Sequence, residues 1–415
     1  MRKKMNKLEV LAPAGDLERV KMAVAYGADA VYLSGPGYGM RPAGRLEEDQ
    51  VAEAAAWCHS HGAKIYITCN TNPNDEQMDG LPAYLGYLSE IGADAVIVGD
   101  VGVMFACKKH IPHIPIHMST QTGVLNSTTA TSLFELGARR IIPARELSLA
   151  QLAEMRRRCP SELELEVFVH GSMCVSFSGR CLLSNYLASR DVNSGNCAQP
   201  CRWRYALMEE RMPGRYFPIT EEENGTYILN SHDMCLIEHI NEIYQAGACS
   251  LKIEGRTKSA YYVATVTNAY RHAADAAVAG VPLDDAWKEE VYHTSHRPYS
   301  TGFYFGQPGQ HPEGSDYYVG SDFVAVVESC GSDGCAVVEQ RNKFAPGEEL
   351  ELIGPDGEKP VTFICGELTD DIGIPLTVAN RPQQRVKLTL PRAVPPLSIL
   401  RRRRSDNVLF RRQQP

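Results

Sequence analysis

Between residues 8 and 256 a helix-like segment four times ends in Gly-Ala or Ala-Gly-Ala and passes straight into a short hydrophobic run: YGADAVYLSG, IGADAVIVGD, LGARRIIPAR and AGACSLKIEG. Gly27, Gly92, Gly137 and Gly247 stand where helices stop, because a left-handed residue closes the last turn and glycine takes that conformation without a steric penalty. Further strand-like runs lie between these units: LEVLAPAG at the outset, KIYITCN (64–70), IPIHMST (114–120) and LEVFVHG (165–171), making eight in all. Amphipathic stretches such as Asp16 to Ala25 and Leu46 to His59 separate them. Short apolar strands alternating with helices imply a parallel sheet, and eight of them predict an α/β fold of the TIM-like (β/α)8 barrel type over residues 1–310. An open doubly wound sheet is the alternative. Its dinucleotide fingerprint is missing, since GPGYGM at Gly35 to Met40 fails the G-x-G-x-x-G spacing and reads as a loop.

Beyond the barrel the pattern changes. SHRPYSTGFYFGQPGQHPEG (295–314) is rich in Gly, Pro and aromatic residues and reads as a connector. From 315 to 400, runs such as FVAVVESC, GCAVVEQRNKF and QQRVKLTLP alternate with turn signals, which predicts a small all-β domain. Residues 401–415, opening with Arg401 to Arg404, read as a basic tail, and residues 210–225 as a loop insertion.

The stretch 171–205 carries four of the thirteen cysteines, Cys174, Cys181, Cys197 and Cys201, spaced by six, fifteen and three residues. They follow the seventh strand in a glycine-bearing, polar segment, so thiolates converging on a soft metal centre are the leading expectation. Buried structural cysteines are the bland alternative. Disulfides are disfavoured, because neither a signal peptide nor a long apolar span is evident and a reducing, cytoplasmic setting is expected. Zinc and an iron–sulfur cluster both remain open on spacing alone.

The run EVFVHGSMCVSFSGRC from Glu166 to Cys181 closely resembles the signature of the collagenase-like "unclassified" peptidase family thirty-two. LAPAG (Leu11 to Gly15), YGADAVY (Tyr26 to Tyr32), HMSTQ (His117 to Gln121), RELSL (Arg145 to Leu149) and SLKIEGRTKS (Ser250 to Ser259) extend the resemblance over nearly the whole chain. Within that family the sequence looks most like the members that hydroxylate tRNA. The resemblance implies a [4Fe-4S] cluster held by Cys174, Cys181, Cys197 and Cys201, with Cys235 a rival to Cys201. It also implies hydroxylation of the wobble uridine of a tRNA anticodon loop to 5-hydroxyuridine, with prephenate as the hydroxyl source. A collagenase-like peptidase, or a related activity on ribosomal RNA or a small aromatic substrate, is the alternative; no H-E-x-x-H or G-x-S-x-G supports proteolysis.

Barrel enzymes carry their chemistry at the carboxyl ends of the strands. That rule selects Asn70, His117, Ser119, Gln121, Arg145, Glu146, His170, Lys252, Glu254 and Arg256. From these, His117, Gln121, Arg145, His170, Lys252, Glu254 and Arg256 are the candidate catalytic residues. Lys252 and Glu254 share one side of their strand, so a salt bridge between them is the bland reading. His110, His113 and His117 could make a metal trio, but the intervening prolines favour an extended entry into a strand. Tyr38, Phe177, Trp203 and Tyr205, interleaved with Arg41, Arg45, Arg180, Arg202 and Arg204, are candidates for contact with RNA. The formal net charge of −8 confines any such contact to a local patch.

Overall fold

The computed structural model describes residues 7–40, 44–174, 176–179, 181–190, 196–203, 231–308 and 317–404. Arg41, Arg180, Arg204, Tyr205, the 210–225 segment and the residues after Arg404 lie outside these.

The eight expected strands form one closed parallel barrel. They are β1 (Glu9–Pro13), β2 (Ala30–Leu33), β3 (Lys64–Cys69), β4 (Ala95–Val98), β5 (Ile116–Met118), β6 (Arg140–Ile141), β7 (Glu164–Ser172) and, after a short extra strand β8 (Asp233–Cys235), β9 (Ser250–Ile253). β9 pairs in parallel with both β1 and β7, which closes the ring. Helices α1 (Leu17–Ala25), α2 (Glu48–Ser60), α3 (Asp75–Glu90), α4 (Val101–His110), α5 (Ser127–Glu135) and α6 (Leu149–Arg158) link successive strands. A short α7 (Leu183–Ala188) lies in the cysteine-bearing segment; α8 (Ile240–Gln245) and α9 (Ala260–Ala279) complete the outer layer. Asp16, Asn74, Asp100, Asn126, Ser148 and Ser259 each accept a backbone N–H at a helix start, satisfying donors that a helix cannot pair internally. Gly27, Gly92, Gly137 and Gly247 all have positive φ (97°, 71°, 113° and 96°), as a left-handed helix stop requires.

Inside the barrel Leu11, Ala30, Tyr32, Tyr66, Ala95, Ile97 and Ile142 pack with Phe168. Toward the amino ends of the strands the filling becomes ionic. Arg140 pairs with Glu9, Glu164 and Glu166, and it is 6% exposed, so this network is buried.

β8 runs antiparallel to the end of β7, with His170 opposite Cys235 and Ser172 opposite Asp233. This antiparallel pair fixes the chain leading into Cys174 at the carboxyl end of the barrel. Asp233 is fixed in turn by buried Arg297, 2.7 Å away.

The C-terminal region is an eight-stranded antiparallel sheet with its own core, including Val324, Val338, Phe344, Leu350, Val386 and Leu400. It is fastened to the barrel through Met22, Tyr26, Tyr261, Val326, Ile353 and Ile399. The tetra-arginine differs from its expected place in a basic tail. Arg401 to Arg403 belong to the last strand, Ile399–Arg403, and Arg401 is fully buried between Glu290 and Glu351. Alternation along the strand buries Leu400 against one side and offers Arg401 to acids of both units.

Candidate functional site

A cavity of about 770 Å³ opens at the carboxyl end of the barrel, roofed by the segment after β7. Cys174, Cys181, Cys197 and Cys201 all line it. Among the described residues five cationic side chains, Arg145, Arg190, Lys252, Arg256 and Lys258, line it against one carboxylate, Glu254, so this lining is positive within an acidic chain.

The roof is held by specific contacts. Glu146, just after β6, accepts the backbone N–H and the hydroxyl of Ser178, both at 2.9 Å. Gly179 has φ +75°, and a Cβ there would stand 2.4 Å from the Gln121 carbonyl oxygen, so only glycine permits this approach. Arg145 donates to the Ser172 carbonyl at 3.1 Å, and Ser172 donates its N–H to Glu254 at 3.3 Å. Arg145 and Glu146 therefore anchor the roof to the barrel rim.

The floor is a row of alternating cations and rings. Arg145 and Lys252 each lie 5.5 Å from the Phe168 ring centroid. Lys252 is also 4.6 Å, and Arg256 6.0 Å, from that of Tyr32. Arg256 donates to the Ser34 and Thr68 hydroxyls. Lys252 does not pair with Glu254. Its ammonium donates at 2.6 Å to Glu166, which is fully buried and also accepts from Arg140 at 3.0 Å. Burial pulls the Lys252 ammonium below its ordinary pKa, although Glu166 opposes that.

Gln121, Arg145, Lys252, Glu254 and Arg256 thus meet at the cavity, as do Asn70 and Ser119. Two candidates do not line it. His170 should face inward by alternation with Glu166 and Phe168, but a β-bulge between Phe168 and His170 turns it outward. There its Nδ1 lies 3.3 Å from the Tyr270 hydroxyl and its Nε2 3.4 Å from that of Tyr299; burial depresses its pKa to about 3. His117 lies in the middle of its strand, edge-on to Tyr66 and deeper than Ser119. Burial, with Arg140 and Lys252 nearby, holds it well below the ordinary histidine range. His110, His113 and His117 do not gather into a metal trio: His113 bonds Ser89, and His110 ends α4.

Cys235 is not on the cavity wall. It sits behind β7, 3.9 Å from the Tyr270 hydroxyl, and burial pushes its thiol up to about 12. Among the described residues no three His, Cys, Asp or Glu side chains converge tightly enough for a single metal ion. Four-iron clusters make a different demand, because each thiolate binds a separate iron and the ligands surround a larger body. The donor set fits that geometry in kind: four thiols face one cavity, and Gln199, in a left-handed conformation, donates its N–H to Cys197 Sγ at 3.3 Å.

Glu166, Tyr32 and Phe168 escaped the sequence reading. The alternation Glu166–Phe168 on β7 was the available signal, since both fall on the interior face of the strand. Tyr38 stacks on Tyr84 at 5.1 Å, while Phe177 and Trp203 are exposed.

A (β/α)8 barrel with a thiol-bearing roof over a cation-rich floor defines the class: barrel proteins with a loop-walled, cation-lined pocket. The chain belongs to peptidase family U32, whose pattern matches residues 15–313, with the family's C-terminal domain at 320–401. It is 37% identical over 408 residues to tRNA hydroxylation protein P1 of Bacillus subtilis (strain 168), covering 95% of either chain. It is 34% identical over 431 residues to tRNA hydroxylation protein P of Escherichia coli (strain K12), covering 93% of this chain and 94% of that one. A 23S rRNA 5-hydroxycytidine synthase of Escherichia coli (strain K12) is 34% identical over 273 residues, which are 66% of this chain and 40% of that one. Among the described residues no helix is long and apolar enough to cross a membrane.

Proposed function

We propose that this protein is an RNA-hydroxylating enzyme, acting on the wobble uridine of tRNA to give 5-hydroxyuridine, with a [4Fe-4S] cluster on Cys174, Cys181, Cys197 and Cys201 and prephenate as the hydroxyl source. The names of its relatives support the reaction class. The observation that carries the reading is the meeting of four thiols with five cations in one cavity.

A cluster bound there would supply electron transfer. The chain's own residues do the rest. Arg145, Lys252 and Arg256 suit a dicarboxylate, since guanidinium groups pair bidentately with carboxylates. Phe177 and Tyr317, exposed and on the cavity wall, suit a base splayed out of a single-stranded loop, because every base offers a face for stacking. Tyr32, Ile97 and half-buried Phe168 give the floor an apolar wall that suits a poorly hydrated reacting end.

Deleting the gene in its host, grown without oxygen and checked for a second copy, and analysing total tRNA nucleosides by mass spectrometry tests this. Loss of 5-hydroxyuridine derivatives, restored by wild type but not by Cys181→Ala, is expected. An unchanged tRNA profile with altered ribosomal RNA, or with a peptide-processing defect, would replace the reading.

A further inference from the structure

Lys252 is a cavity cation paired to a buried carboxylate, and the two oxygens of that carboxylate are divided. Glu166 Oε1 takes the Lys252 ammonium at 2.6 Å, and Oε2 takes Arg140 at 3.0 Å. Arg140 thereby fixes the plane of Glu166 and leaves one oxygen aimed at the amine. Lys252 is 4% exposed yet lines the cavity, its ammonium 4.6 Å from the ring centre of Tyr32 and 5.5 Å from that of Phe168. The Arg145 guanidinium lies 5.5 Å from the centre of the same Phe168 ring, so the two cations flank one aromatic side chain of the cavity wall. Arg140 is shared among Glu9, Glu164 and Glu166, so Lys252 is the cation that Glu166 Oε1 has to itself.

We propose that Lys252 binds a 2-oxo acid covalently, condensing with its carbonyl to an iminium while Glu166 carries the protons and Arg145 holds the carboxylate. The inference rests on the proposed function, whose hydroxyl source carries a 2-oxo acid group. In the first step the ammonium gives a proton to the Glu166 carboxylate. The freed amine pair forms the C–N bond, the carbonyl π pair moves to oxygen, and Glu166 returns its proton to that oxygen. A second N–H proton passes by the same route, the hydroxyl leaves as water, and a C=N⁺ bond remains with Glu166 again a carboxylate. One ammonium and one carbonyl give one iminium and one water, and nothing is oxidised or reduced. Burial, which pulls Lys252 below its ordinary pKa, eases the first proton transfer. An iminium is a stronger electron sink than the ketone, and it would hold the acid in one orientation beneath the thiols.

The test is reductive trapping on the full-length protein purified without oxygen. The protein is incubated with pyruvate, and separately with prephenate, in the presence of cyanoborohydride, then digested for mass spectrometry. The peptide containing Lys252 should gain the mass of the acid less one oxygen atom, Glu166→Gln should trap at least tenfold more slowly, and Lys252→Arg, which keeps the charge, should not trap. Absence of adduct at Lys252 with both acids, or equal labelling of surface lysines in Lys252→Arg, overturns the inference. Nucleosides from the Lys252→Arg strain separate it from the underlying reading. Wild-type hydroxylation in that strain removes the iminium alone, whereas unmodified tRNA in the wild-type strain removes the hydroxylation reading whatever the adduct result.

Discussion

Glu146 grips Ser178 by both its backbone N–H and its hydroxyl, each at 2.9 Å, and so ties the roof of the cavity to the carboxyl end of the sixth strand. Glu146→Ala should therefore lower iron and sulfide per chain at least several-fold while shifting the thermal midpoint by only a few degrees, because it removes hydrogen bonds of about 1.5–3 kcal/mol each to a charged acceptor at a partly exposed site. Gly179→Ala should do the same more severely, since its Cβ would collide with the Gln121 carbonyl. Cluster content unchanged in both variants would mean that the roof needs neither anchor.

The fourth thiol can be assigned by substitution. Cys174→Ala, Cys181→Ala, Cys197→Ala and Cys201→Ala should each abolish or strongly deplete iron, whereas Cys235→Ala should keep it, because Cys235 lies behind β7 and not on the cavity wall. Iron and sulfide assays on protein purified without oxygen decide the matter. Depletion in Cys235→Ala with wild-type content in Cys201→Ala would reverse the assignment.

Arg401 holds the two units together as a fully buried ion pair with Glu290 and Glu351. Arg401→Ala takes the guanidinium from buried Glu290 and leaves Glu351 with Arg403 alone, and should cost about 3–5 kcal/mol in denaturant unfolding. A loss below about 1 kcal/mol would mean that water reaches the acids. Glu351 adds a pH dependence. Burial raises its pKa, but Arg401 and Arg403 more than offset that and leave it lowered. Its contribution is present above the ordinary glutamate range and is lost as the pH falls through the lowered folded value.

His170 and His296 carry the opposite signature from paired histidines. Burial depresses them to about 3 and about 4, so between about 6.5 and those values the unfolded chain binds protons that the folded chain refuses. Stability should fall on acidification across that window, each histidine contributing at most about 1.4 kcal/mol per pH unit. Urea unfolding of wild type and His170→Gln at neutral and mildly acidic pH checks this. The variant should show the shallower dependence, and equal slopes would place the proton uptake elsewhere.

Local signals determined the barrel. Gly27, Gly92, Gly137 and Gly247 stop helices through their own backbone freedom, and the apolar runs that follow can lie only in a sheet covered on both faces. Such features act over a few residues, so they are legible in a linear chain. The strand-end rule also brought Gln121, Arg145, Lys252, Glu254 and Arg256 to one cavity, because strand direction fixes which ends share a face of the barrel. Three matters were decided only by tertiary structure. A single bulge in β7 reversed the side-chain alternation and sent His170 out of the barrel, since a period of two changes sign with one added residue. Lys252 chose Glu166 over Glu254, its neighbour two residues along, because closure of the ring brings β7 against β9 and sets those two side chains 2.6 Å apart. Arg401, one of four consecutive arginines that read as solvated, was drawn into the interior because two buried carboxylates from different units stand where only a cation can neutralise them both.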